Sequence, residues 1–190
     1  MLKVSNLIQI SNLIIMLRLK ILYIFKQKIS KYQEKLDSLL EINPLQAELF
    51  ADKLHKKYKR EPVFIDYKAF ALFKQKKYND ALKLYKIINN PLSEFLGTKM
   101  NNNRNIALCF ENLREYDSAI YYFKKASIDV NLYSIARCFN HKKEKDSALF
   151  YYSKLLEIIK NDKDKMNYIK NIDVIDEVQY KVDSLSKFSK

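Results

Sequence analysis

The chain has 190 residues, 48% of them hydrophobic, with a single Gly, three Pro and a net charge of +13. That hydrophobic content excludes a wholly disordered chain. So few turn-forming residues exclude an all-β one, whose turns need residues that accept positive φ or fix it.

An all-α chain is the reading that remains, and its charge is uneven: +7 over residues 1–60, +3 over 61–100, +3 over 101–160 and zero over 161–190. The most apolar run, residues 4–25, comes first. Its uncharged part, Val4 to Leu17, is 14 residues long and ends at Arg18 and Lys20. A spanning helix needs about 20 apolar residues. A signal peptide would carry its positive charge first and close on a small-residue cleavage site, and only Lys3 precedes this run. Three readings stand: a hydrophobic helix capping the repeats that follow, a basic helix anchoring residues 1–25 on a membrane, or residues translated upstream of a start at Met16.

From there the chain repeats itself. "YNDALKLYKI" (78–87), "YDSAIYYFKK" (116–125) and "KDSALFYYSK" (145–154) align with Ala81, Ala119 and Ala148 in register, and Ala47 lies 34 residues before Ala81. The intervals of 34, 38 and 29 residues average about 34. Around the aligned alanines runs a second set of small residues, Ala69, Ala107 and Ala136, each twelve places earlier. Phe110, Phe123, Phe139, Tyr85 and Tyr152 flank them, as two helices in close contact require: small residues where they touch, large ones beside. Ala71, Cys109 and Cys138 share one position, so both cysteines read as small core residues.

This pattern over residues 28–160 resembles the tetratricopeptide repeat (TPR), whose period is about 34 residues and whose hallmark includes A-x3-F. The resemblance implies an all-α, right-handed α-solenoid of antiparallel helix pairs, flanked by an N-terminal helix (1–27) and a C-terminal capping helix (161–190). It implies three recognisable units after a diverged first one, whose first helix (near 31–42) carries Lys35 at the small position. Asn79, Asp117 and Asp146 are expected as N-caps of the second helices. Lys76, Arg114 and Lys143 stand where the family favours Gly in the turn, at a cost of about 1 kcal/mol each if φ is positive. "PLSEFLGTKM" reads as an insertion, and the 29-residue interval as a clipped first helix of the fourth unit. At the C-terminus Met166, Ile169, Ile172, Ile175, Val178, Val182 and Leu185 recur every three or four residues, the stripe of a helix over about 164–188 that covers the last unit or pairs two copies of the chain.

Chemistry is hard to place on this sequence. There is no Gly-rich phosphate loop, the two Cys and two His lack metal-ligand spacing, and acidic pairs fall at helix starts and turns. Neither an enzyme nor a cofactor is expected. Only five of 35 basic residues are Arg, which argues against, without removing, a basic nucleic-acid-binding repeat. What the resemblance implies is a scaffold or adaptor whose concave groove, lined by the first helices, binds a peptide or helix of a partner protein. The expected contacts are Phe70, Lys74, Arg104, Leu108, Asn112, Tyr133, Arg137 and Asn140, with Asp66, Phe73, Asn101 and Glu111 exposed beside them. The family's chaperone-tail mode maps onto Asp66, Phe70, Asn105, Val130 and Ser134. Only Asn105 agrees, and Asp66 would repel a carboxylate.

Overall fold

In the computed structural model the described residues are 2–59, 61–88, 102–161 and 172–186, with side chains from Ile14 onward and, in the last segment, from Ile175. Among them there is no strand, and nine helices follow one another: α1 (Leu2–Ile42), α2 (Pro44–Lys57), α3 (Val63–Lys74), α4 (Tyr78–Ile88), α5 (Asn102–Asn112), α6 (Tyr116–Ala126), α7 (Ile128–His141), α8 (Lys145–Asn161) and α9 (Ile172–Ser186). Each helix packs on the next, so that α1/α2, α3/α4, α5/α6 and α7/α8 form pairs stacked side by side, and α9 lies on α8 where a fifth pair would begin.

The close contacts are made where the sequence places its small residues. Ala47, Ala81, Ala119 and Ala148 on the second helices and Ala69, Ala107 and Ala136 on the first are all at 0% exposure. Ala71, Cys109 and Cys138 are equally buried, and burial pushes both thiols up to about 12, so they stay protonated and pack as small apolar groups. Tyr85, Phe123 and Tyr152 fill the space beside the alanines.

The turns explain how Gly is dispensed with. Lys76, Arg114 and Lys143 stand at φ 62°, 63° and 63°, the left-handed region expected from the register. In each turn the next residue's N–H reaches five residues back, Lys77 to Leu72 O, Glu115 to Phe110 O and Glu144 to Phe139 O, at 2.9–3.0 Å. These 6→1 bonds, with the accompanying bonds from Lys76, Arg114 and Lys143, close a Schellman motif that satisfies the helix-end carbonyls. It also moves the caps. The second helices begin at Tyr78, Tyr116 and Lys145, so Asn79, Asp117 and Asp146 are their second residues and not N-caps. Lys77, Glu115 and Glu144 end one motif and accept the first bond of the next helix, leaving no room for a separate capping residue. Inside the first turn Asp117 and Asp146 still favour the positive end of the helix dipole.

Other expectations are corrected as well. The fourth unit's first helix, α7, is not clipped: at 14 residues it is longer than α3 or α5. The short interval comes out of the connection, which is Ser127 alone in extended backbone. His141 is the last residue of α7, its ring stacked on Tyr116. In the first unit, Asn43 alone joins α1 to α2; Pro44 follows it at N1, and Asn43 Oδ1 accepts from Gln46 N–H at 3.1 Å. With two residues fewer than the other turns, the count of twelve no longer lands on the inner face. Leu36 is fully buried there, and Lys35 is exposed with its ammonium over the Phe50 ring. The boundary expected at residue 27 falls within α1, which contains neither Gly nor Pro to break it. "PLSEFLGTKM", Asn101, Met166, Ile169 and the side chain of Ile172 lie outside the described residues. Ile175, Val178, Val182 and Leu185 pack against Leu155, Leu156 and Ile159 of α8, the capping arrangement read from their spacing.

At the edge of the core, one device is used twice. Phe110 stacks on Tyr122 with Lys86 Nζ 5.0 Å above it. Phe139 stacks on Tyr151 with Lys124 Nζ 5.8 Å above it. The exposed outer-face Lys124 is thus a cation–π contact between units and a poor neutral reference. If the alanines set the helix separation, Ala119→Leu or Ala136→Leu overpacks the contact and costs about 1–3 kcal/mol in urea unfolding, while Lys53→Leu on an exposed face stays within about 0.5 kcal/mol. Equal effects of the three would refute the register.

Candidate functional site

The first helices α1, α3, α5 and α7, continued by α9, form one row, and long polar side chains connect its members. Between α1 and α3, Tyr67 Oη donates to Asp37 Oδ1 (2.8 Å) and Lys74 Nζ to Glu41 Oε1 (3.1 Å). Between α5 and α7, Arg104 Nε donates to Asn131 Oδ1 (3.2 Å), and Arg137 donates to both oxygens of Glu111, at 2.7 and 2.8 Å. Between α7 and α9, Tyr133 Oη donates to Glu177 Oε2 (2.9 Å).

Glu111 is therefore not an exposed groove residue. It is 8% exposed, and the bidentate pair explains why a carboxylate sits so deep. Its hydrogen bonds raise the Arg137 guanidinium further above its ordinary range. Arg137 also lies over the Tyr133 ring, 5.4 Å from its centroid. Leu108 is half-buried against the main core. Asn112 is exposed and turns its amide onto Leu108 O; Asn140 is half-buried. Phe70 stacks on Phe73 with Lys74 Nζ 5.7 Å from its ring, the most aromatic stretch of the row. The residues expected to meet a partner share the row, and several of them first hold the row together.

Asn131 was not among the expected residues, yet it is central. It is buried, its Nδ2 donates to Ser127 O and Phe123 O, and its Oδ1 receives Arg104. Asn102 is its counterpart one unit earlier, since each stands five residues before a contact alanine (Ala107, Ala136). That repeated Asn is the signal in the sequence that would have found both. In the same register Asp66 occupies the place of Arg104. Here the pattern inverts: Asp66 Oδ1 and Asn102 Oδ1 are both buried acceptors without a hydrogen-bond partner. Asp66, expected to be exposed, is mostly buried, and burial pushes its carboxyl up to about 6. Its charge in turn helps raise the buried Tyr85 phenol, after the larger effect of burial.

No protein-family model matches the chain. No curated protein matches it either. Solved structures do. A double mutant of MamA from strain RS-1 superposes with a TM-score of 0.57 at 14% identity, over 85% of this chain and 96% of that one. MamA from Desulfovibrio magneticus RS-1, residue 41 to its end, gives 0.57 at 11%, over 84% and 94%. A Podosopora anserina kinesin-light-chain candidate with nearly identical TPR-like repeats gives 0.59 at 8%, over 86% and 97%. At these identities the likeness is one of fold, and the chain has a TPR-like repeat fold.

Two predictions follow from the row. Arg137→Ala leaves Glu111 buried and unpaired and costs about 2 kcal/mol or more; adding Glu111→Gln recovers about 1 kcal/mol in a double-mutant cycle. Strict additivity would show that the pair carries no coupling. For Asp66 the sign runs opposite to a salt-bridged acid. The folded carboxyl titrates near 6 and the unfolded one near 3.8, so the folded state holds the extra proton between them. Its contribution to stability is present at low pH and lost as pH rises through about 6, a loss on the order of 2–3 kcal/mol. Asp66→Asn is expected to raise the unfolding free energy at pH 7 and to flatten its slope between pH 4.5 and 7. Asp52, held at about 2 by Lys56 and Lys68, titrates below that window. An unchanged slope in the variant would refute the assignment.

Proposed function

We propose that this protein is a non-catalytic scaffold that holds a peptide or helix of a partner protein along its row of first helices. The supporting observation is the row itself, a continuous surface across successive units on which Phe70, Lys74, Arg104, Asn112 and Tyr133 stand on the same helices in related register. A TPR-like fold builds such a surface by stacking, and no one unit supplies it. Aromatic side chains give contact area at low entropy cost, and cations beside them recognise acidic or aromatic segments. Arg137 is held by the buried Glu111, so the cationic part of the anchor shifts towards Arg104 and towards Lys74, which lies by the Phe70 ring and whose partner Glu41 is exposed.

The test begins with crosslinking on the full chain to obtain a partner and the positions that touch it. Lys74→Ala with Arg104→Ala is then expected to weaken binding about tenfold, or about 1.4 kcal/mol. The accompanying stability loss should be only about 1 kcal/mol, for the donor that Asn131 loses. Tyr121→Ser and Phe150→Ser, on exposed faces of the second helices, should leave affinity unchanged. The reverse outcome would place binding on the outer row.

A further inference from the structure

We infer that the outer part of α1, residues 14–24, docks the protein onto an anionic lipid surface. This rests on α1 alone and is independent of the groove. Ile15, Met16, Leu19, Ile21, Leu22 and Tyr23 are all exposed, Ile21 at 68% and Met16 at 65%. They occupy near-successive positions, so the apolar surface runs around the helix and not along one stripe. Among the described side chains of α1, the first deeply buried one is Ile29, with Phe25 half-buried against Tyr58 just before it. Residues 14–24 thus extend beyond the stack for about 16 Å at 1.5 Å per residue. So large a contiguous apolar surface marks an interaction site.

Charge selects the occupant. Arg18, Lys20, Lys26, Lys28 and Lys31 accompany this surface, Lys3 precedes it, and the first acidic residue of the chain is Glu34. A second copy packed on the same segment would bring these cations together with no carboxylate between them. A membrane crossing is disfavoured because Arg18 and Lys20 interrupt the run, and among the described residues no helix is long and apolar enough to span. Apolar side chains set into the boundary of a bilayer, with Lys and Arg stems lying along them and their charges at the level of anionic headgroups, satisfy both features at once.

The probe is the full chain sedimented with vesicles of phosphatidylcholine, with and without phosphatidylglycerol. Binding is expected to the anionic vesicles, at least tenfold weaker to pure phosphatidylcholine, and to fall as salt is raised. Ile21→Gln with Leu22→Gln, and separately Arg18→Gln with Lys20→Gln, should each reduce it at least tenfold while the helical circular dichroism and melting temperature hold. If the apolar pair unfolds the protein, the charge pair carries the test, since both of its residues are exposed. Equal affinity for neutral and anionic vesicles, or binding retained by the charge pair, overturns the proposal. So does a dimer in vesicle-free light scattering that Ile21→Gln with Leu22→Gln dissolves, which would assign the surface to a second copy. Capture of this segment by an acidic protein without any vesicle binding would overturn it too.

Discussion

Close approach at a few alanines governs this architecture. With no side chain beyond Cβ at Ala69, Ala107 and Ala136 or at their partners Ala81, Ala119 and Ala148, paired helices can come within the 8–10 Å separation of tight packing. The large residues beside them then face neighbouring pairs, so one set of contacts fixes both the pair and the stacking of pairs. The same spacing brings successive first helices near enough for an arginine to reach an asparagine or a carboxylate across the gap. The polar connections of the inner row are in this sense a consequence of the alanines.

Those connections differ from step to step. A phenol and a lysine meet two carboxylates between α1 and α3, an amide and a bidentate ion pair join α5 to α7, and a phenol joins α7 to α9. In the register that pairs Arg104 with Asn131 in the next unit, Asp66 and Asn102 each keep a buried acceptor oxygen without a partner. In a stack whose stability is close to a sum over neighbours, such a position lowers the stability of one interface without touching the others. Burial holds the Asp66 carboxyl up at about 6, so its protonation changes in a pH range where Asp52, held at about 2, stays charged.

The two ends of the stack are treated differently. At the C-terminal end α9 lays Val178 and Leu185 into the apolar face of α8 and turns Tyr180 outward. At the other end α1 covers α2 and α3 with Ile29, Leu36 and Leu40, and its residues 14–24 carry apolar side chains that nothing among the described residues covers. A solenoid needs its terminal faces closed, and both α1 and α9 cover an end of the stack; α1 alone of the two carries a long run of exposed apolar side chains among the described residues.

What the sequence determined by itself was whatever depends on spacing. The recurring alanines, the aromatics beside them and the equivalent cysteines were legible because packing repeats when the backbone does. The positive-φ residues Lys76, Arg114 and Lys143 were legible from the register, although their side chains gave no hint of that conformation. Element ends were less so: a Schellman motif that shares its last residue with the next helix left Asn79, Asp117 and Asp146 inside the helices, and Ser127 alone absorbed the shortening that seemed to fall on α7. The candidate surface was legible only as a set of positions. Whether Arg137 faces a partner or Glu111, and whether Arg104 meets solvent or Asn131, depends on side chains 26 or more residues away in the chain. Only tertiary structure brings those side chains together, and no local pattern encodes the distance between them.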